Sequence, residues 1–110
     1  MGITDLVQAT LEEAGIPVYR IGIDQPAESY ITFQLIHAAD RTFSDDENAT
    51  VEYLFGADIY TRRNHDDLVK TVKTALKEAG FYQVEILAEI YESGTRYNHV
   101  PFEFRYMEEI

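Results

Sequence analysis

At 110 residues with a formal net charge of -11 at pH 7, the chain has a one-domain length and a strongly acidic surface. It holds no cysteine, which excludes a disulfide frame, thiolate chemistry and zinc sites built on Cys. Nine Lys and Arg against twenty acids argue against nucleic-acid binding as a primary task, since phosphate affinity depends on cations.

No apolar run reaches membrane-spanning length, and no basic segment followed by an apolar one opens the chain. A soluble, unexported protein is expected, with no membrane contact. Eight Tyr, six Phe and no Trp suit a Tyr-rich sheet with some rings left for contacts.

Ile3 to Ala14 reads as the first helix, because Ile3, Leu6, Val7, Leu11 and Ala14 share a face; Gly15 and Pro17 end it. Val18 to Ile23 is a short extended run, and Asp24 to Glu28 a turn. Ser29 to His37 alternates as a half-buried strand, with Ile31, Phe33 and Leu35 on one side and Tyr30, Thr32 and Gln34 on the other. Ala38 to Asn48 is a long polar connection, predicted to be a mobile acidic loop over 38–49. Thr50 to Thr61 is a strand with Val51, Tyr53, Phe55, Ala57 and Ile59 inward, and Gly56 marks a bulge or a close approach of backbone.

Asn64 to Phe81 is the stretch around which the chain is organised. Leu68, Val72, Ala75, Leu76 and Ala79 form one apolar stripe, while Lys70, Lys73 and Lys77 project from the opposite side. Asn64 is a suitable N-cap, Asp66 and Asp67 fit the first turn, and Gly80 can take the left-handed conformation that closes a helix. Gln83 to Tyr91 follows as a strand with Val84, Ile86, Ala88 and Ile90 inward. Glu92 to Tyr97 is a turn with Gly94 at positive φ. The last strand, His99 to Met107, has Val100, Phe102, Phe104 and Tyr106 inward, and Pro101 marks an edge position or a strand start. The expected fold is thus α+β, a single domain over 1–110. Its order is α-β-β-β-α-β-β, a mostly antiparallel or mixed sheet with both helices on one face.

Catalytic constellations are missing from this pattern. His37, His65 and His99 lack metal-ligand spacing, and Asp45, Asp46, Glu47 and Asn48 lack the alternation and glycine of a calcium loop. Ser29, Ser44 and Ser93 have no surrounding elbow motif, and the carboxylates Glu52 with Asp58 and Glu85 with Glu89 fall on faces assigned to solvent. No catalytic residue, cofactor or metal is expected. Two features exceed what a plain monomer needs: sheet edges with unpaired backbone, and an outer face where Tyr30, Leu54, Tyr60, Leu87, Tyr91 and Met107 interrupt the charges.

The run Ala57-Asp58-Ile59-Tyr60-Thr61-Arg62-Arg63 leads into the stretch from Asp67 to Phe81, then a Tyr-bearing strand through Tyr91 and a closing Phe102-Glu103-Phe104-Arg105-Tyr106. This order resembles the small tail-completion proteins of long-tailed bacteriophages and prophages, also called tail terminator or head–tail joining proteins. The resemblance covers Thr50 to Tyr106 and, loosely, the first helix; the acidic segment from Ala38 to Asn48 has no match in it. It implies a non-enzymatic virion protein, in the host cytoplasm during assembly, that forms a ring, commonly of six copies. Such a ring caps the tail tube and joins it to the head, with the tail-tube protein and a head-completion or connector protein as partners. DNA would pass through an acidic lumen without specific binding, because like charges prevent adhesion.

A ring requires that one surface of a subunit meet a different surface of its neighbour. Arg62, Arg63 and Lys70 are candidates for the basic side and Asp45, Asp46 and Glu47 for its complement, with Arg41, Phe43, Tyr60 and Tyr91 adding contact area. The alternative from another class is a ferredoxin-like module that binds a small ligand or regulates a partner. That reading calls for a pocket with convergent polar groups.

Overall fold

A computed structural model describes residues 2–20, 28–41 and 49–109. The elements are α1 (Ile3–Glu12), β1 (Val18–Arg20), β2 (Ser29–Arg41), β3 (Thr50–Thr61), α2 (Asp66–Glu78), β4 (Tyr82–Ile86), β5 (Ile90–Glu92) and β6 (Tyr97–Glu109). They form a six-stranded sheet in the order β1-β2-β3-β6-β4, with β5 beside β4 on the same edge of β6. All neighbours are antiparallel except β1 and β2, so the sheet is mixed.

Alternation along the strands sends one set of side chains to the helices. Ile31 and Phe33 of β2, Phe55, Ala57 and Ile59 of β3, and Val100, Phe102 and Phe104 of β6 are buried there. Val7 and Leu11 of α1 and Val72 and Leu76 of α2 close this core from above. The predicted α2 stripe is therefore the buried one. His65 occupies the N-cap position, and Asn64 Oδ1 accepts the Asp66 N–H at 2.9 Å, so the neighbouring side chain satisfies one exposed donor. At the other end Gly80 has φ +98°, Phe81 N–H bonds to Leu76 C=O at 3.0 Å, and Gly80 N–H bonds to Lys77 C=O at 3.2 Å. This is a Schellman closure, and it delivers Phe81 into the core.

Several expected boundaries move. The strand predicted to end at His37 continues to Arg41, because β3 begins at Thr50 and offers ladder partners as far as that residue. Ala38 to Arg41 is thus sheet rather than loop, while Phe43, Asp45, Asp46 and Glu47 lie outside the described residues. Ile36 is an extra residue in β2, since Leu35 pairs with Phe55 and His37 with Leu54. The mid-strand Gly56 lies beneath that bulge: a Cβ there would stand 2.8 Å from Ile36 Cδ1. Gly94 is not at positive φ; Arg96 is, at +65°.

The strand predicted from Gln83 to Tyr91 is two strands, and Pro101 explains the break. Pro101 lies inside β6 rather than at its start, and on the flank away from β3 it has no ladder partner, since β4 ends opposite Phe102 and β5 begins opposite His99; its C=O accepts the Leu87 N–H at 2.9 Å. Its nitrogen faces the same way but has no hydrogen to return to Leu87, so the edge strand peels off there. Pairing resumes one residue out of step, from Ile86 opposite Phe102 to Ile90 opposite His99. A one-residue slip exchanges the two faces. Ile90 therefore points to the helix-free side and Tyr91 to the other, and Ala88 and Ile90 are exposed instead of inward.

β2, β3 and β6 have 13, 12 and 13 residues, while α1 and α2 have 10 and 13. Strands of that length run about 40 Å, and such helices only about 15–20 Å. The helices cannot cover the sheet, and the molecule measures 53 × 25 × 24 Å. At the far end Glu52 of β3 bridges the strands. Its carboxylate accepts from Arg41 of β2 at 3.2 Å, Arg105 of β6 at 3.3 Å and the Tyr82 hydroxyl of β4.

Leu76→Ala should destabilise the fold by about 2–5 kcal/mol, the range for emptying a packed site; denaturant titration measures it, and a loss below about 1 kcal/mol would contradict the packing described. The hydrogen bonds from Tyr82 and then Arg41 hold the Glu52 carboxyl below its ordinary value of 4.5. A lowered folded-state pKa means stability that is present above the unfolded value and lost as pH falls through the folded one. Wild type should thus exceed Glu52→Gln in denaturant midpoint at pH 7, and the gap should close as pH falls below 4.5. A gap that does not change between pH 7 and pH 3 would show that the charge of Glu52 does not tie the strands together.

Candidate functional site

The sheet face opposite the helices carries no layer of its own among the described residues. It is built by the outward-pointing positions of β2, β3, β6, β4 and β5, and three clusters occupy it.

The first lies at the end where β3 meets α2. Tyr60 stacks on Tyr30 at 4.8 Å between centroids and on His99 at 4.4 Å, and Tyr97 meets both tyrosines edge-on at 5.6 and 6.0 Å. His99 Nε2 lies 2.6 Å from Asp58 Oδ1, where the imidazole N–H donates to the carboxylate, and His99 Nδ1 lies 3.7 Å from Glu92. Burial, then the charge of Asp58, Tyr30 and Glu92, pushes the Tyr60 phenol up to about 12, so it stays a neutral hydroxyl. Among the described residues both ring nitrogens of His99 face carboxylates and neither faces a nucleophile. The Asp58–His99 pair thus locks β3 to β6 and is not arranged for acyl transfer.

The second cluster surrounds Gly56 at the middle of the face. Ile36, Gly56, Leu87 and Pro101 line a depression of about 140 Å³, rimmed by Gln34, Asp58 and Glu103. Ile36 and Leu87 are 46% and 39% exposed, and Ile90 nearby is 52% exposed, so this apolar surface faces water. Glu103 pairs in register with Glu85 of β4, two like charges directly opposite. The third cluster is the Glu52 bridge already described, with Met107 exposed beside it.

Among the described residues, the candidates named from sequence do not converge. Tyr60 is in the first cluster. Arg62 caps it, with its guanidinium 4.1 Å above the Tyr97 ring and Nε donating to Thr95 C=O at 2.9 Å. Arg63 is bound to Glu28 at 2.7 Å, and Arg41 belongs to the Glu52 bridge. Both basic residues before α2 are therefore engaged within the chain. Lys70, Lys73 and Lys77 are exposed, and none forms an ion pair among the described residues. Tyr91 is 61% exposed, but on the opposite face from Tyr60.

Sequence reading missed Ile36, Ile90 and the Glu85–Glu103 pair as features of one surface. The only local signal was Gly56, since a glycine inside a strand marks a crowded neighbour. His65 is half-buried and bonded to Glu89 rather than simply exposed, and it lines an open groove of about 440 Å³ with Val69, Lys70 and Leu87. Two polar groups of that groove, His65 and Glu89, pair with each other, and Asp66 lies 3.8 Å from the same imidazole. No group of three or more His, Cys, Asp and Glu is placed to hold a metal ion among the described residues.

No protein-family model and no curated protein matches the chain. Among solved structures it is similar to a chain of the virion of a native gene transfer agent (GTA) particle, with a TM-score of 0.61 and 17% identity, over 98% of this chain and 95% of that one. At that identity the likeness establishes a shared fold across nearly the full length of both chains.

Proposed function

We propose that this protein is a structural component of a phage or prophage virion, a ring-forming subunit that caps the tail tube and helps join tail to head. The carrying observation is the full-length fold likeness to a chain of a gene transfer agent virion. The surface supports the same reading. A helix-free sheet face with exposed Ile36, Leu87 and Ile90 is an interface in waiting, since apolar groups clustered on one face mark contact sites. The start of α2, through the exposed Lys70, supplies one side of a head-to-tail contact, and an acidic surface of the next subunit supplies the other; Arg62 and Arg63 beside it are held by Tyr97, Thr95 and Glu28 of their own chain. The tail-tube protein and a head-completion or connector protein are the neighbours along the axis. DNA crosses the ring without being bound, because a net charge of -11 repels the phosphate backbone.

The test is deletion of the protein from the phage or prophage that encodes it, followed by electron microscopy of the lysate. Tail tubes of uncontrolled length and unjoined heads are expected, with normal particles restored by the wild-type chain. A chain with Lys70→Glu, a change at an exposed position without an ion pair among the described residues, should restore them poorly while folding normally. Normal virions in the complete absence of the protein would refute the reading.

A further inference from the structure

We propose that the outer sheet face around Gly56 receives helix α2 of a second copy of this chain, through its lysine stripe. The inference takes its setting from the ring reading but stands on three observations of its own.

The first is an unneutralised pair of like charges. Glu85 and Glu103 lie directly opposite on neighbouring strands, which is destabilising by itself. Among the described residues neither carboxylate has a cation or a hydrogen-bond donor, although Glu52 on the same face has three partners. The second is that the chain's three lysines, Lys70, Lys73 and Lys77, all stand on the exposed side of α2 without ion pairs among the described residues. The chain's lysines thus all stand on one helix, on the far side of the sheet from Glu85 and Glu103. No single copy can bring the two together. The third is the apolar ground beside the acids, made by Ile36, Leu87 and Ile90.

The spacings agree. Residues three and four apart on a helix are about 5–6 Å from one another. Directly opposed residues in a sheet are about 4.5–5.5 Å apart and diagonal ones about 7–8 Å. A stripe of Lys at i, i+3 and i+7 can therefore place successive ammonium groups at Glu103 and Glu85. The methylene stems lie on Ile36, Leu87 and Ile90 while their heads reach the carboxylates, the usual division of a lysine side chain at an apolar surface. Helix side against sheet side is a contact between two different surfaces, the kind that propagates head to tail and closes into rings.

Carbodiimide coupling tests this, because it links an amine and a carboxylate only in direct contact. Wild-type protein at high concentration should yield interchain links from Lys70, Lys73 or Lys77 to Glu85 or Glu103, identified by mass spectrometry in a mixture of isotopically light and heavy chains. Two reversed proteins, one with Lys70→Glu, Lys73→Glu and Lys77→Glu and one with Glu85→Lys and Glu103→Lys, should each associate at least about tenfold more weakly alone. Mixed together they should associate again, since each then meets the opposite charge. If a reversed protein fails to fold, the corresponding Gln variants replace it and should also lose the links. Absence of the links in wild type, undiminished association of either variant alone, or no recovery in the mixture overturns the proposal. The ring reading is judged separately: overlong tails on deletion would keep it even if this contact fails. Normal virions on deletion would remove it even if the links form.

Discussion

Everything in this molecule hangs on β3, which is paired along its whole length with β2 on one side and β6 on the other. Its alternate residues Phe55, Ala57 and Ile59 form the floor on which both helices rest, and the residues between them form the exposed face. A long central strand with partners on both flanks keeps its backbone satisfied without outside help. That leaves the side chains of the outer face free for another use.

The helices explain the asymmetry. Each is shorter than half of the 53 Å length of the molecule by simple geometry, since helical residues rise about 1.5 Å and strand residues about 3.4 Å. The core therefore concentrates where Val7, Leu11, Val72 and Leu76 press on the sheet, and the remaining length is held by side-chain bridges. Glu52 does this at one end with two arginines and a tyrosine, and Asp58 with His99 does it at the other. Both bridges lie on the helix-free face. Between them lies the bare ground of Ile36, Gly56 and Leu87, where neither bridge reaches.

That arrangement separates two kinds of charge. The forks of Arg41, Arg105, Arg63 and Arg62 are spent inside the chain, on Glu52, on Glu28 and over Tyr97, where planar guanidinium groups suit fixed partners. Lysines are left outside, on one helix. The like-charged pair Glu85 and Glu103 lies on the opposite surface. A subunit with two complementary sides and an apolar patch is suited to join copies of itself.

The sequence by itself determined the α+β class, both helices, the buried stripe of α2 and its glycine closure, and the inward residues of β3 and the middle of β6. These follow from local rules: periods of 3.6 and 2, capping chemistry, and the freedom of Gly80 at positive φ. Tertiary structure decided the rest, for reasons of pairing that no local window contains. Ala38 to Arg41 became strand because β3 lies opposite. The strand predicted through Tyr91 broke because Pro101, on a different strand, has no hydrogen to offer Leu87. The resulting slip turned Ile90 outward and Tyr91 away from the face expected of it. The candidate site was legible only in part. Tyr60 and Lys70 stand exposed or half-exposed, but Arg62 and Arg63 proved to be held by Thr95, Tyr97 and Glu28. Which charges are satisfied within a chain depends on neighbours some thirty residues distant, and those neighbours are set only when the sheet closes register.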